Sequence, residues 1–493
     1  MKKAKESFLK LELIKKMYIN GAWVKSSDDE WIENYNPSNR EILCRVPNSK
    51  KEDVNRAIES AKVAFESVEW KSYHPAERGR ILHQVAQKIR ERKEEIAELE
   101  TLDCGKPLSQ AYADVETAAK YFDFYAGVAD KILGETIPIE PGIIDFTIRE
   151  PVGVTAHIIP WNYPIQIMSR SVAAAIATGN AVVVKPAEDT PLTALKLADI
   201  FDQTTLPKGI VNVVTGYGHE AGAVLASHPD INHVTFTGSV ETGMKVMMAA
   251  ARNIVPVTLE LGGKSPNIIF DDCNLDEALK WVVKSIVQNA GQTCSAGSRL
   301  IIQSTIYEQF VDMVAERLKS LKLGPGMNDT DIGPIMSEKQ LQRIEHYMDF
   351  AHKEGAQFVT GGKRQIVKGA EAGYYFQPTL LKNVYPNSKI AQEEIFGPIV
   401  AAFRFEKEEE AVQLANFSDY GLVAGIWTNH IGRAHRLAQN LQAGQVFINN
   451  YGAGGGVQMP FGGYKKSGFG REKGLEALRN YTQVKNVSIK VDL

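Results

Sequence analysis

The chain has 493 residues, with 56 Lys and Arg against 59 Asp and Glu, for a formal net charge of −3. That balance carries no basic footprint for nucleic acid. Hydrophobic residues at 44% and charged residues at 23% are globular proportions that argue against disorder and supply apolar surface for large cores. The best apolar stretch, Val172–Ala177, follows Arg170 and stops at Thr178-Gly179, far short of the ~18 residues a membrane span needs. The N-terminal segment mixes Lys2, Lys3, Lys5, Lys10, Lys15 and Lys16 with Glu6 and Glu12 and has no apolar secretory core.

Residues 17–48 read as short strands and turns, punctuated by Gly21, Asn36-Pro37 and Pro47. Ser49 followed by Glu52 predicts a capping box, and Val54, Ala57, Ile58, Ala61 and Phe65 form the apolar face of the helix that follows. Ile81, Leu82, Val85, Ile89, Ile96 and Leu99 continue the period in one long charged helix that Gly105 can terminate. Helical pattern persists to Lys131, and Leu133–Glu150 reads as an irregular or β excursion.

From Gly153 five β-rich runs follow: Val154–Ile159, Ala181–Lys185, Ile210–Val214, His233–Phe236 and Val257–Glu260. Helical segments separate them, one of them opened by Thr190-Pro191 as N-cap and first-turn proline. Alternation of this kind predicts a parallel sheet covered on both faces, of dinucleotide-binding type. A second α/β stretch runs from Ser265 to Lys465, with strands at Asn267–Phe270, Arg299–Gln303, Ile399–Phe403 and Val446–Ile448. Asn486–Val491 reads as a terminal strand, able to pair with another subunit or to close an internal edge.

Four cysteines, Cys44, Cys104, Cys273 and Cys294, lie 60, 169 and 21 residues apart. No spacing suits zinc or a redox dithiol, no metal site is expected, and so few thiols fit a reducing cytoplasm. Cys294 stands out because Gln288-Asn289-Ala290-Gly291-Gln292-Thr293-Cys294-Ser295 surrounds a thiol with small residues that leave room for a substrate. Glu260 ends a strand inside Leu259-Glu260-Leu261-Gly262-Gly263-Lys264. Apolar neighbours would raise the pKa of such an acid and make it a base, although it could equally pair with Lys264. Gly216, Gly218 and Gly222 follow one strand, and Gly238-Ser239 through Gly243 follow another. These positions suit phosphate at helix N-termini, or else simply turns. Lys185 and Glu188 lie at a strand's carboxyl end, where a ribose can be held, or where a loop pair is merely solvated.

Taken together, Trp161-Asn162-Tyr163-Pro164, Lys185-Pro186-Ala187-Glu188, Phe236-Thr237-Gly238-Ser239, Leu259-Glu260-Leu261-Gly262-Gly263-Lys264 and Gly291-Gln292-Thr293-Cys294 resemble the NAD(P)-dependent aldehyde dehydrogenases, in the same order. Glu393-Glu394-Ile395-Phe396-Gly397-Pro398 and Pro460-Phe461-Gly462-Gly463 extend the resemblance over nearly the whole chain. It is nearest the hydrolytic branch with betaine-aldehyde and retinal-type enzymes. The resemblance implies that Cys294 attacks the aldehyde, that Asn162 and the Cys294 backbone N–H hold the oxyanion, and that Glu260 activates the hydrolytic water. The presence of that glutamate disfavours acyl transfer to CoA.

For the cofactor, the resemblance implies contacts along Ile159, Pro160 and Trp161. It places adenosine ribose on Lys185 and Glu188, and pyrophosphate near Gly218, Phe236, Gly238 and Ser239. Leu261, Glu394 and Phe396 fall at the nicotinamide end. Glu188 would repel a 2′-phosphate, so NAD is the expected cofactor, with NADP admitted through Lys185. The implied organisation is α/β: a Rossmann-type cofactor domain over 1–131 and 151–262, a catalytic domain over 263–466, and a small β oligomerisation element from 132–150 and 467–493. A cytoplasmic homodimer or homotetramer acting on a small-molecule aldehyde is expected, with no nucleic acid or membrane partner.

Two departures bear on substrate. The ninth and tenth positions after Trp161 are Arg170 and Ser171, where many hydrolytic relatives have an aromatic residue and a lysine. An arginine in the tunnel would hold a carboxylate or stack on an aromatic ring, and would repel a quaternary ammonium; alternatively it pairs with an acid. Without a lysine at Ser171, a proton-relay role for Glu472 is in doubt. The glycine run in Asn450-Tyr451-Gly452-Ala453-Gly454-Gly455-Gly456 predicts an open mouth. Tyr163, Arg170 and Tyr451 are therefore the expected substrate contacts, and a bulky, aromatic or retinal-like aldehyde the expected substrate. The alternatives are a carboxylate-bearing semialdehyde or a catalytically silent protein on the same fold.

Overall fold

The computed structural model describes residues 15–452 and 456–491. Its first sheet has eight strands in the spatial order Ala22–Val24, Met17–Ile19, Val211–Val213, Ala181–Lys185, Val154–Ile158, His233–Thr237, Val257–Glu260 and Gly468–Phe469. The five inner strands are parallel and the outer pairings antiparallel. Every residue of Ala181–Lys185 and of Val154–Ile158 is buried, as a sheet covered on both faces requires. Helix Pro164–Ala177 is buried along all but Gln166, and so is a core helix without a solvent face.

The second sheet has seven strands in the order Gln357–Thr360, Thr379–Lys382, Ile399–Phe405, Arg299–Gln303, Pro266–Ile269, Val423–Trp427 and Gln445–Ile448. All are parallel except the first, which is antiparallel to its neighbour. Each sheet has its own hydrophobic cluster, one built mainly from residues 17–261 and the other from residues 268–461. A third sheet pairs Thr482–Lys490 with Ile143–Pro151 in one unbroken antiparallel register, and Thr136–Ile137 beyond it. Among the described residues no helix is long and apolar enough to cross a membrane.

Several local features differ from the sequence expectations. The single long helix is two, Pro75–Glu91 and Lys93–Cys104, broken at Arg92, whose side chain turns to Glu95 and Asp199. The helix after the second parallel strand starts at Leu192, and its N-terminal donor is capped by the buried carboxylate of Asp103 at 2.9 Å instead of by Thr190. The first capping box sits one residue later than expected: Asp53 accepts the N–H of Lys50 at 3.1 Å, while Ser49 turns to the Thr215 carbonyl. Residues 467–481 divide from the terminal strand. Gly468–Phe469 joins the first sheet beside Leu259–Glu260, and Ala477, Leu478 and Tyr481 enter its core.

Gly468 makes that edge possible. Its φ is +109°, and a Cβ there would stand 1.9 Å from the Leu259 carbonyl oxygen, a position no larger residue can take. Gly468→Ala is expected to cost about 1–3 kcal/mol, read as a lower urea-unfolding midpoint; an unchanged midpoint would show that the edge strand bears no load.

Candidate active site

The carboxyl ends of the first sheet's strands deliver the site. Val154–Ile158 runs into Ile159, Pro160, Trp161 and Asn162, and Val257–Glu260 ends on Glu260 itself. Across from them, helix Leu275–Val287 stops and the chain takes three consecutive left-handed residues: Asn289 (φ 49°), Ala290 (φ 54°) and Gly291 (φ 73°). Such conformations persist only where the surroundings over-determine them. Here the Asn289 N–H donates to Gln110 Oε1 at 2.9 Å, and the Asn289 amide donates to the Asn162 carbonyl at 2.9 Å. Gln292 takes the Met336 N–H at 2.8 Å, and the Asn162 amide donates to the Gln292 carbonyl at 3.0 Å. A Cβ on Gly291 would meet the Gly397 carbonyl oxygen at 2.2 Å. The strained loop thus fixes Asn162 and Cys294 relative to one another, with one N–H of the Asn162 amide committed to the loop.

Glu260 is 1% exposed, and neither carboxylate oxygen has a hydrogen-bond partner among the described residues. Burial pushes its pKa well above the ordinary range, opposed by Arg170. The Glu260–Lys264 pairing left open by the sequence is not formed among the described residues; burial lowers Lys264 to about 7, with Arg299 adding to the effect and Glu394 opposing it. Burial likewise pushes the Cys294 thiol up to about 12, with Arg170 pulling it down and Glu394 and Glu260 raising it. Arg170 is the neighbour that works against this rise and favours the thiolate.

Arg170 does not stand free to meet a substrate. It is 5% exposed, forms an ion pair with Glu472, donates to Thr237 Oγ1 at 3.2 Å, and lies 5.4 Å from the Phe461 ring centre. A helix buried all round offers a cation no solvent, so an acid partner takes it. Ser171 turns back onto its own helix, to the Ile167 and Met168 carbonyls. Tyr451 is also occupied: its hydroxyl donates to the Ser295 carbonyl at 2.6 Å, bracing the cysteine loop from the other side. Residues 453–455 of the glycine run lie outside the described residues.

The cofactor candidates gather along the same strand ends. Lys185 is buried, donates to the Pro186 carbonyl at 2.7 Å and reaches Glu188 at 3.4 Å. Ser239 is the exposed N-cap of helix Val240–Ala251, just after Phe236 and Gly238, and Gly218 opens the helical turn Gly218–Gly222 with free space where a Cβ would be. Two helix N-termini facing open space, with a lysine and a carboxylate beside them, suit the phosphates and ribose of a dinucleotide. At the far end Glu394 accepts the Gly263 N–H at 3.1 Å, and a Cβ on Gly262 would strike that carboxylate at 2.2 Å. Leu261 leads into this turn, and the Trp161 and Phe396 rings meet edge to face with centres 5.3 Å apart.

Sequence reasoning missed the support beneath Tyr163. Its hydroxyl shares a hydrogen bond of 2.8 Å with Thr293, and Lys106 lies 4.2 Å from its ring centre. Lys106 is fully buried between Asp114 at 2.5 Å and Glu100 at 3.3 Å. Lys473, the neighbour of Glu472, was missed as well; it is buried beside Phe461. Lys106→Met would strand two buried carboxylates. It is expected to cost about 3–5 kcal/mol in urea unfolding, and a loss below 1 kcal/mol would refute the buried charge balance.

Residues 23–487 match the sequence model of the aldehyde dehydrogenase family. An aldehyde dehydrogenase of Emericella nidulans is 43% identical over 477 residues, covering 96% of this chain and 95% of that protein. The betaine aldehyde dehydrogenase of Bacillus subtilis is 41% identical over 474 residues, covering 96% of each chain. The NAD+ complex of an aldehyde dehydrogenase from Bacillus cereus superposes with a TM-score of 0.95 at 44% identity, over 98% of each chain. A match of this length means that the chain belongs to the aldehyde dehydrogenase family.

Proposed function

We propose that the protein oxidises an aldehyde to the carboxylic acid with NAD, through a covalent intermediate on Cys294. The observation that carries this reading is the convergence of the half-buried Cys294, the Asn162 amide and the buried carboxyl of Glu260, which has no hydrogen-bond partner among the described residues. The Cys294 sulfur adds to the aldehyde carbon as its proton passes to the ionised form of Glu260 and on to solvent, and the carbonyl π pair moves onto oxygen, giving a thiohemiacetal. The second N–H of the Asn162 amide and the backbone N–H of Cys294 stabilise the oxyanion where charge develops. Bound NAD would supply the acceptor for the hydride of this carbon. The thioester that remains is attacked by water whose proton the ionised form of Glu260 takes up, the C–S bond breaks with its electron pair returning to sulfur, and the acid departs. Lys185, Glu188 and Ser239 would hold the adenosine and pyrophosphate, and Glu394 the second ribose. NADP is a poorer fit, because Glu188 opposes a 2′-phosphate. With all three catalytic groups in place, the silent-scaffold alternative has no support.

For the substrate we propose a neutral, bulky or aromatic aldehyde. The pairing of Arg170 with Glu472 removes the free guanidinium on which the semialdehyde reading depended. It also removes the charge that argued against a quaternary ammonium, so betaine aldehyde becomes the second reading, in line with the Bacillus subtilis relative. The test is kcat/KM for NADH formation with benzaldehyde, betaine aldehyde and succinic semialdehyde, run with NAD and with NADP. We expect benzaldehyde first, semialdehyde last, NAD over NADP, and a loss of at least about 1,000-fold in Cys294→Ser. A preference for succinic semialdehyde would overturn the substrate assignment.

We further propose a cytoplasmic homo-oligomer. The four cysteines are free, which suits a reducing compartment. Thr482–Lys490 forms the edge of its sheet. On helix Val240–Ala251, Met244, Met247 and Met248 expose an apolar face that continues to Ile254, a surface a second copy would cover. Met247→Glu combined with Met248→Lys is expected to lower the mass found by light scattering, and an unchanged mass would exclude this face.

A further inference from the structure

Helix Leu108–Val128 reaches the cysteine loop through a side chain to which the reaction described above gives no part. Gln110, half-buried in the first turn of that helix, accepts the backbone N–H of Asn289 on Oε1 at 2.9 Å. Asn289 is 2% exposed and is the first of the three left-handed residues that lead to Cys294. Left-handed backbone costs energy at an asparagine and more at an alanine, and a buried N–H requires an acceptor. The bond therefore holds the loop in a conformation that its own sequence does not favour.

The chain around Gln110 is itself held in place. Gly105 ends helix Lys93–Cys104 in a left-handed conformation, φ +79°, and turns the chain toward Gln110. The Ser109 N–H donates to the Asp329 carboxylate at 2.8 Å. Gly326 and Gly333 lie so close to this turn that a Cβ on the first would stand 2.2 Å from the Lys106 carbonyl oxygen, and on the second 2.3 Å from that of Gly105. A few residues on, the same segment grips the cysteine loop: the Met336 N–H donates to Gln292 Oε1 at 2.8 Å, and Gln292 Nε2 donates to the Pro334 carbonyl at 3.4 Å. Residues 105–110, 326–336 and 289–294 thus meet at one junction, and the bond from Asn289 to Gln110 closes it.

Asn289 in turn serves both groups assigned above to the oxyanion. Its side-chain amide donates to the Asn162 carbonyl at 2.9 Å and to the Gln292 carbonyl at 3.4 Å, and the Asn162 amide donates to the same Gln292 carbonyl at 3.0 Å. A rotation of Asn289 therefore displaces the Asn162 amide and the Cys294 N–H together. We propose that Gln110 is a positioning residue for the oxyanion donors, keeping the Asn162 amide and the Cys294 N–H in register through the Asn289 backbone. This rests on the oxidation proposed above, and the step served is the one in which the S–C bond forms, the carbonyl π pair moves onto oxygen and the hydride then leaves. Donors stabilise developing charge when their positions are fixed beforehand, and a misplacement of about 1 Å costs about 100-fold in rate. Because Gln110 acts through Asn289, its loss lowers kcat and leaves substrate binding alone.

The experiment compares wild type, Gln110→Leu and Gln110→Glu. Leucine removes the acceptor, and glutamate returns an acceptor oxygen at the same reach. Single-turnover NADH formation with benzaldehyde and NAD is followed by stopped flow, beside kcat, KM and the urea-unfolding midpoint. We expect Gln110→Leu to lose about 10- to 100-fold in hydride-transfer rate and in kcat, with KM within about twofold of wild type and the midpoint unchanged. Gln110→Glu is expected to recover most of that loss. A Gln110→Leu rate equal to wild type would overturn the proposal, and so would a loss that glutamate does not recover, that appears in KM alone, or that follows a lowered midpoint. Hydrogen exchange of residues 288–294 is measured by mass spectrometry on the same proteins without substrate. Exchange about tenfold faster in Gln110→Leu and restored in Gln110→Glu is the expected result, and unchanged exchange would overturn the hold on the loop whatever the turnover. Should wild type form no NADH with benzaldehyde, betaine aldehyde or succinic semialdehyde, the oxidation reading fails, while exchange still decides whether Gln110 fixes this loop.

Discussion

The buried ion pair between Arg170 and Glu472 is the constraint around which the pocket is arranged. Each partner alone would be a desolvated charge, and removing one member of such a pair typically costs about 3–5 kcal/mol. The pair joins two parts of the chain that have no sequence reason to meet: the core helix Pro164–Ala177 and the turn after Gly468–Phe469. Because that short strand also pairs with Leu259–Glu260, the ion pair and the edge strand together fix the carboxyl of Glu260. Arg170 raises the acidity of both Glu260 and Cys294, yet it cannot give up its own proton. It therefore sets the field of the site without taking part in proton transfer.

The cysteine is held by a different device, backbone strain offset by side-chain amides. Three successive left-handed residues would not persist in a free loop. Asn162, Asn289, Gln110 and Gln292 satisfy the turned-out backbone, and Tyr163 and Tyr451 hold Thr293 and Ser295 on either side of the thiol. Lys106 extends the support a further layer, since its ammonium lies against the Tyr163 ring. The Cys294 thiol is thus positioned by groups that themselves have little freedom, which keeps its geometry constant.

What the sequence showed and what it hid divide along physical lines. The inner strands of the first sheet were legible because burial on both faces writes continuous apolar runs such as Ala181–Lys185. Three strands of the second sheet, Gln357–Thr360, Thr379–Lys382 and Val423–Trp427, were not singled out. The first is an edge of mixed character, and all three are short, with four or five residues each. Cys294, Glu260 and Asn162 were recognisable from motifs, and the structure brings them together. The direction of Arg170 was not legible, since periodicity assigns a face only to a helix that has a wet side. Asp103 capping Leu192 and Lys106 beneath Tyr163 are contacts between distant segments, which no local pattern records.

Lys473 was the hardest to see, and the reason bears on how such pockets work. A lysine in a glycine-flanked turn reads as solvated, because most are. The left-handed backbone carries the residue inward, onto the Phe461 ring. Once inside, it meets acids that burial raises, and burial lowers the amine itself. Excluding water strengthens every interaction in the site, but it also removes the solvent that would otherwise carry protons away.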